Sequence, residues 1–308
     1  MGIIIPVKNG SQAIKKCLES IFSLDYKNFE LIVIDDGSTD DTPRILSEYK
    51  TVRIITTKGI GPSAARNMGI KEAKAEFIAF TDGDCLVDKS WLKELLKGFV
   101  AQDIAAVGGS QSSPADDTEF GKDIQSFLEI VGFVAEYTKK GGCVKPTKHN
   151  PSCNAMYRRD VLLRAGGFLE NFWPGEDLEL DYRLIRGGHK LMFNPDAVVY
   201  HYRPATIGKY ARMMYRYGFA QGYLVRRYGL FRTLHFEPFL LAFILILGMR
   251  GFGLLRDVFI LSVFAAVVWF FARSLNIKKT AVFLELLFAT LIHWNIGFIK
   301  GILTKEMK

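Results

Sequence analysis

Residues 31–43, LIVIDDGSTDDTP, contain the repeating unit that decides the fold of this chain. Four apolar residues come first, and three of them are β-branched, which predicts a short buried strand. An acidic, Gly-containing turn follows, and then come Thr42 and Pro43, which suit the first positions of a helix. The stretch therefore predicts one strand, one polar turn and one helix in immediate succession.

The same unit recurs along the first 100 residues. Short apolar runs begin at Ile3, Val52 and Phe77, and each is followed by a segment that reads as a helix. Strands that alternate with helices predict a mostly parallel sheet with helices on both faces, an α/β fold. Ligands of such sheets bind beyond the carboxyl ends of the strands. The residues that directly follow each strand are therefore the first candidates for a functional site.

Acidic residues follow the second and the fourth predicted strand. Asp35 and Asp36 follow the second, and the triplet Asp82-Gly83-Asp84 follows the fourth. Carboxylate oxygens are the ligands that Mg²⁺ or Mn²⁺ prefers, and they also accept hydrogen bonds from the base and ribose of a nucleotide. Taken singly, each cluster also suits a surface turn, and part of the first suits a helix N-cap.

Six signatures in a fixed order carry a resemblance to a known family. They are IIIPVKN, VIDDGSTDDT, GPSAARNMGI, FTDGDC, GGFLENFWPGEDLELDYRL and VVYH. On these signatures the first 202 residues resemble a family 2 glycosyltransferase with the GT-A fold, a Rossmann-like and mostly parallel sheet. The resemblance implies a nucleotide-sugar donor, a divalent metal bound through the DxD-like triplet, and inversion at the anomeric carbon.

The resemblance also implies roles for individual residues. Asp177 is expected to be the general base, with Glu176 beside it. Asp84, Asp82 and His201 are expected to ligate Mg²⁺ or Mn²⁺. The nucleotide is expected to contact Pro6, Val7, Asn9, Asp36, Arg66 and Asp82.

Simpler structural explanations stand beside three of these roles. Arg66 also suits an ion pair with Asp35 or Asp36 at the sheet edge. Acidic residues such as Asp177 are favoured at helix N-termini by the helix dipole alone. A single histidine such as His201 is often an ordinary structural residue.

Some features depart from the family or carry no signal. Lys8 stands where the family more often has an aromatic residue, which leaves the choice between a UDP- and a GDP-sugar open. The segment 110–151 has no interpretable signature, and His149 and His189 are assigned no role. The four cysteines lack paired CxxC spacing, so the sequence predicts neither a zinc site nor a disulfide framework.

The charge of the chain is unevenly distributed. The net charge is +8, yet the residues from Arg203 onward contain 15 Lys and Arg against 4 Asp and Glu, and the first 202 residues are slightly acidic. The basic surplus lies beside three apolar runs, Phe236 to Met249, Val258 to Leu275 and Ala281 to Leu303. Basic residues beside apolar runs indicate an anionic lipid surface rather than nucleic acid as the partner.

We therefore expect three regions in the chain. Residues 1–205 form the GT-A domain, residues 206–235 form amphipathic interfacial helices, and residues 236–308 form a membrane region with two or three transmembrane helices. The catalytic domain is expected to face the cytoplasm at the cytoplasmic membrane. The Glu176-Asp177 pair, together with the basic and aromatic helix beside the apolar runs, leads us to expect transfer of a sugar from a nucleotide donor to a hydroxyl of a lipid-linked or envelope glycan. The alternatives are a polyprenyl-phosphate sugar transferase, a nucleotidyltransferase, or a membrane scaffold without catalysis.

Overall fold

A computed structural model describes residues 1–132, 142–236, 238 and 252–305. The chain divides into two compact units, one formed by residues 1–117 and 134–202, the other by residues 118–133 and 203–308. The helices are α1 Ile14–Phe22, α2 Thr42–Ser47, α3 Pro62–Glu72, α4 Trp91–Lys97, α5 Glu119–Ile130, α6 Arg159–Arg164, α7 Glu176–Arg186, α8 Ile207–Tyr228, α9 Phe252–Ser274 and α10 Ile277–Leu303.

The first unit is built on one mixed sheet. The strands are β1 Gly2–Val7, β2 Glu30–Asp35, β3 Arg53–Thr56, β4 Phe77–Phe80, β5 Cys85–Val87, β6 Ile104–Ser112, β7 Lys145–Thr147, β8 Ala155–Arg158 and β9 Lys190–His201. Their spatial order is β3-β2-β1-β4-β8-β6-β9-β5, with β7 beside β9. The first four strands in this order are parallel, and β8 runs antiparallel between β4 and β6. The predicted α/β fold is confirmed.

Both faces of the sheet are covered, as parallel strands require. Ile3 and Ile5 of β1 pack on one face with residues of α1 and α4, while Ile4 packs on the other face with residues of α3 and α7. A Cβ atom added to Gly69 of α3 would lie 2.5 Å from Cγ2 of Ile4, so α3 can sit this close to the sheet only with glycine there. Packing of helices on both faces thus holds in place the strand ends that carry the candidate site.

The second unit contains α5, α8, α9 and α10. α8 lies within residues 206–235, for which the sequence predicts amphipathic helices, and its backbone touches that of α10. A Cβ on Gly218 would lie 1.9 Å from the carbonyl oxygen of Trp294, and one on Gly297 would lie 2.0 Å from that of Tyr215. Reciprocal glycines therefore allow the two helices to pack at backbone contact.

In the described part of the chain, one helix, α10, is long and apolar enough to cross a membrane. This helix contains the predicted run Ala281 to Leu303. The run Val258 to Leu275 lies almost entirely in α9, and most of the run Phe236 to Met249 lies outside the described residues. The expected two or three membrane spans, and the three-region division of the chain, stay predictions.

Candidate active site

The loops after β1 and β2 are tied together by Asn9. Its backbone N–H donates to Oγ of Ser38 at 2.9 Å, and its Oδ1 accepts from the backbone N–H of Thr39 at 2.8 Å. Asn9 adopts a positive φ of 53°, a conformation that asparagine tolerates better than most residues. Oδ1 of Asp40 accepts from the backbone N–H of Thr42, the first residue of α2, at 3.0 Å. One part of the acidic cluster therefore holds the start of α2, although the N-cap residue itself, Asp41, makes no side-chain cap hydrogen bond.

Asp36 is buried, with 4% of its surface exposed, and its carboxylate organises the turn after β3. Its Oδ1 accepts from the hydroxyl of Thr57 and from the backbone N–H of Ile60, at 2.5 and 2.6 Å. Its Oδ2 accepts from the backbone N–H of Gly61 at 2.9 Å. Burial raises the pKa of Asp36, but these donors outweigh it and hold the pKa below its usual range. A carboxylate has about four acceptor positions, so roughly one is left for a ligand.

The end of β1 touches the acidic triplet. Pro6 and Val7 are both buried, and the carbonyl oxygen of Val7 accepts from the backbone N–H of Asp36 at 2.8 Å. A Cβ on Gly83 would lie 3.0 Å from Cγ2 of Val7, so the central glycine of the triplet permits this close approach. The strand end, Asp36 and the triplet are thus neighbours, as the topology predicted.

The two carboxylates of the triplet differ in exposure. The side chain of Asp82 is 29% exposed and that of Asp84 is 55% exposed. Oδ1 of Asp84 lies 3.5 Å from Nε2 of His201, the last residue of β9. Burial lowers the pKa of His201, but the Asp84 carboxylate and the nearby Cys153 thiol raise it to about 10. The sequence-predicted ligands Asp82, Asp84 and His201 therefore converge on one corner of the site.

Arg66 connects this corner to the start of α7. Its guanidinium is 2% exposed and donates to Oδ1 of Asp82 at 2.7 Å and to Oε1 of Glu176 at 2.8 Å. These partners differ from Asp35 and Asp36, the ion-pair partners suggested by the sequence. Burial lowers the pKa of Arg66, but both carboxylates raise it by more, so the side chain stays charged. One buried cation thus links the triplet to the Glu176-Asp177 pair.

Glu176 and Asp177 begin α7 but occupy different environments. Glu176 is buried beside Arg66, and burial, with Asp177 nearby, raises its pKa to about 8 although Arg66 lowers it. The Asp177 side chain is 17% exposed. Its Oδ2 accepts from the backbone N–H of Ser152 at 2.9 Å, and its Oδ1 accepts from that of Leu178 at 2.7 Å. Of the two acids, Asp177 is therefore the one held with a surface open to a substrate.

His149 was assigned no role from the sequence, yet it lies between two carboxylates of α7. Its Nδ1 lies 2.9 Å from Oδ2 of Asp181, and its Nε2 lies 4.0 Å from Oδ1 of Asp177. Asp181 is fully buried, which raises its pKa, and it also accepts from the backbone N–H of Asn150 and from the hydroxyl of Tyr157. Since a carboxylate accepts, Nδ1 of His149 is assigned as the protonated nitrogen. Nε2 is then directed toward Asp177.

The donor set at the triplet fits a hard divalent cation. Asp84 offers an exposed carboxylate, and Asp82 keeps one oxygen beyond the one bound by Arg66. Mg²⁺ and Mn²⁺ are usually held by one or two carboxylates together with substrate phosphates. The residues present would therefore suffice for such an ion once a diphosphate supplies further oxygens.

The sequence profile described as glycosyl transferase family 2 matches residues 2–165 of this chain. The chain belongs to glycosyl transferase family 2. This glycosyltransferase is also similar along nearly its whole length to a Methanococcus voltae protein named dolichyl N-acetyl-alpha-D-glucosaminyl phosphate 3-beta-D-2,3-diacetamido-2,3-dideoxy-beta-D-glucuronosyltransferase. The two are 28% identical over 98% of this chain and 97% of the relative.

Two further comparisons agree with the family. Glycosyltransferase AglE from Haloferax volcanii is 28% identical over 72% of this glycosyltransferase and 72% of its own length. Among solved structures, the mannosyltransferase PcManGT from Pyrobaculum calidifontis, in complex with GDP-Man and Mn²⁺, has a TM-score of 0.64. It is 20% identical and the likeness covers 94% of this chain and 86% of that one, which supports the GT-A fold.

Proposed function

We propose that this enzyme transfers a sugar from a UDP- or GDP-sugar to a hydroxyl of a lipid-linked or envelope glycan at the cytoplasmic membrane, with inversion at the anomeric carbon. The observation that carries the proposal is the bridge made by Arg66, whose two contacts of 2.7 and 2.8 Å tie Asp82 to Glu176. This bridge links the triplet, where the diphosphate is proposed to bind, to the start of α7, which carries the proposed base Asp177.

The donor side is assigned to the loops after β1, β2 and β4. Asn9 and Asp36 hold the loops that would surround the nucleoside, and Pro6 and Val7 form the floor beneath it. Asp84, with Asp82 and His201, would hold Mg²⁺ or Mn²⁺. Such an ion supplies Lewis-acid stabilisation of the charge that develops on the departing diphosphate. That the structural neighbour from Pyrobaculum calidifontis contains GDP-Man and Mn²⁺ supports this assignment.

The acceptor side is assigned to the start of α7. Asp177 takes the proton of the acceptor hydroxyl while the hydroxyl oxygen forms a bond to the anomeric carbon and the bond to the diphosphate breaks. A positioned general base contributes about 10²- to 10⁴-fold in rate. The Ser152 backbone N–H fixes one oxygen of Asp177, and Nε2 of His149 lies near the other, where it can accept the proton in turn. Glu176 lies against Arg66 and is given no proton-transfer step.

A membrane acceptor is supported by the second unit and by a relative. The outward side of α10 exposes large apolar residues, with Ile292, Ile296 and Ile299 each more than half exposed, and α8 exposes Lys209 and Arg212. The name of the Methanococcus voltae relative describes a dolichyl phosphate-linked sugar as its acceptor. Apolar and basic surfaces of this kind suit a lipid interface with anionic head groups.

The test uses full-length enzyme in membranes, with Mn²⁺ or Mg²⁺, labelled UDP- and GDP-sugars and a lipid extract. We expect labelled lipid from the wild type, and loss of at least a hundredfold in rate for Asp177→Asn and Asp84→Ala. Asp160→Asn is the matched control, because Asp160 pairs only with exposed Arg164 among the ion pairs of the described residues. Product formed by Asp177→Asn at the wild-type rate would favour the polyprenyl-phosphate transferase, whose acceptor needs no base. Failure of every donor would favour a non-catalytic scaffold.

A further inference from the structure

Two cysteines and a histidine that are distant in the sequence meet beside the acidic triplet. Cys85 begins β5 and lies directly opposite His201 of β9 in the antiparallel pair, so both side chains share one face of the sheet. Cys153 lies in the short 3₁₀ helix Ser152–Asn154. One ligand atom from each residue can be chosen so that all three atoms lie within 4.8 Å of one another. We call Cys85, Cys153 and His201 the thiol cluster; its two cysteines have no role above, whereas His201 is already assigned to the Mg²⁺ or Mn²⁺ site.

Ordinary core packing does not fully explain why Cys85 and Cys153 lie together. Buried free cysteines usually act as small apolar residues, as Cys17 does among the side chains of α1. The thiol cluster differs because it includes an imidazole, whose Nε2 lies 3.5 Å from Oδ1 of Asp84 and whose Nδ1 is buried without a hydrogen-bond partner among the described residues. A buried polar atom left unpaired is unfavourable, so packing alone does not explain why this imidazole lies among the thiols.

The spacing of the cluster suits a tetrahedral metal. Bonds of about 2.3 Å to sulfur and about 2.0–2.1 Å to nitrogen or oxygen put neighbouring ligand atoms roughly 3.3–3.8 Å apart. Oδ1 of Asp84 lies 3.5 Å from Nε2 of His201 and 3.9 Å from Sγ of Cys85, close to those edges. Asp84 can therefore serve as the fourth ligand, and the three ligand atoms of the thiol cluster, which lie within 4.8 Å of one another, would draw closer on binding.

We propose that Cys85, Cys153 and His201, with Asp84 as the fourth ligand, form a binding site for a thiophilic divalent cation such as Zn²⁺. Thiolates select soft and borderline cations, whereas the oxygen donors of the triplet suit Mg²⁺ or Mn²⁺. Each thiol releases its proton to solvent as it binds the cation. The site therefore differs in chemistry from the proposed catalytic metal site although the two overlap.

The overlap has a consequence that rests on the proposed function. A cation in the thiol cluster takes Asp84 and His201, the same residues assigned to the hard cation on the diphosphate. The two cations then cannot be bound together with full ligand sets. Micromolar Zn²⁺ is thereby expected to inhibit the transferase by displacing Mn²⁺, and a chelator is expected to restore it.

The binding test uses the full-length protein in detergent, kept reduced with a reductant that contains no thiol. Cd²⁺ is titrated in, and thiolate-to-metal charge-transfer absorption in the ultraviolet reports sulfur ligation without any donor or acceptor sugar. We expect one equivalent of Cd²⁺ to saturate the band, and Cys85→Ser and Cys153→Ser each to weaken binding at least tenfold. Cys143→Ser is the matched control, because Cys143 is an exposed cysteine outside the cluster.

The outcomes separate the proposal from its alternatives. No saturable band in the wild type, or an unchanged band in both cluster variants, overturns the proposal. Loss of the band in Cys143→Ser shows adventitious binding to the exposed thiol and also overturns it. The melting temperatures of Cys85→Ser and Cys153→Ser are compared with that of the wild type. Loss of the absorption band at an unchanged melting temperature supports the site. Because the absorption needs no turnover, failure of the proposed transferase activity leaves this result intact.

A second measurement tests the shared ligands. Bound Mn²⁺ is followed by electron paramagnetic resonance in the presence of UDP or GDP while Zn²⁺ is added. Release of Mn²⁺ from the wild type at lower Zn²⁺ than from Cys153→Ser supports the overlap. Retention of Mn²⁺ in the wild type when the thiol cluster is saturated overturns the assignment of Asp84 and His201 as shared ligands.

Discussion

Replacing Arg66 with methionine removes the cation that lies between Asp82 and Glu176 while keeping much of the side-chain volume. Glu176, with a side chain 3% exposed, then has no cation beside it and must either stay charged while buried or bind a proton. Breaking a buried ion pair in this way costs about 3–5 kcal/mol. Asp82 is 29% exposed and keeps part of its hydration, so loss of its contact with Arg66 adds less to the free-energy cost. We expect the melting temperature to fall by roughly 6–20 °C, since 1 kcal/mol shifts a domain of this size by about 2–4 °C.

The assay is thermal unfolding of the full-length protein in detergent, followed by tryptophan fluorescence. Glu176→Gln in the Arg66→Met background removes the unpaired acid and should recover much of the loss. Arg44→Met is the control, because Arg44 lies on the surface and, among the ion pairs of the described residues, joins exposed Asp41 and Glu48, and surface pairs contribute about 0–1 kcal/mol.

The effect of Arg66→Met has a defined pH dependence. The pKa of Glu176 rises from its ordinary 4.5 to about 8 in the folded protein, and it rises further without Arg66, which lowers it. A raised pKa means that the folded state binds the proton more tightly, so this contribution to stability is complete below pH 4.5 and is lost as the pH rises through 8. The gap between Arg66→Met and the double variant should therefore widen over this range. A melting temperature of Arg66→Met equal to that of the Arg44 control, or no recovery in the double variant, would refute the reasoning.

Three further predictions concern other parts of the chain. His149→Gln should lower kcat about tenfold with little change in KM, because glutamine cannot accept the proton from Asp177. A tenfold loss is a barrier increase of about 1.4 kcal/mol. An unchanged kcat would contradict proton transfer from Asp177 to His149. Gly297→Ala should lower the melting temperature, because its Cβ would meet a backbone carbonyl of α8 at 2.0 Å, whereas Gly208→Ala, with open space around it, should not. Asp36→Asn should weaken binding of UDP or GDP, measured by calorimetry. The NH₂ group of asparagine would place a donor against the N–H of Ile60 or of Gly61 and disturb the turn that Asp36 organises. Equal affinity would count against the assignment of Asp36 to the nucleotide site.

The fold could be predicted because its determinants are local. Each apolar run is followed within a few residues by a turn and a helix start, so a strand such as β2 and its acidic end are visible in 13 consecutive residues, 31–43. The antiparallel insertion of β8 between β4 and β6 could not be predicted in the same way. That pairing joins segments with no shared local pattern, and it falls where the sequence carried no signature.

The candidate site was predictable where a residue follows a strand and less so elsewhere. Asp36 and Asp84 lie at strand ends, but one of the two partners of Arg66, Glu176, lies at a helix start 110 positions away. His149 lies in a loop 32 residues before Asp181, and a lone histidine in a loop has no periodic signal. The thiol cluster likewise joins residues on three separate elements, so spacing rules for metal ligands had nothing to detect.

The 3₁₀ helix Ser152–Asn154 gives the proposed base an anchor outside its own helix. The Asn154 side chain is fully buried and bonds the carbonyls of Ser110 and Ala197 as well as the indole of Trp91, while Ser152 holds Asp177 through its backbone. The base is thus located relative to the sheet. Replacements in the loop before this 3₁₀ helix can therefore accumulate during divergence without shifting the proposed base relative to the sheet.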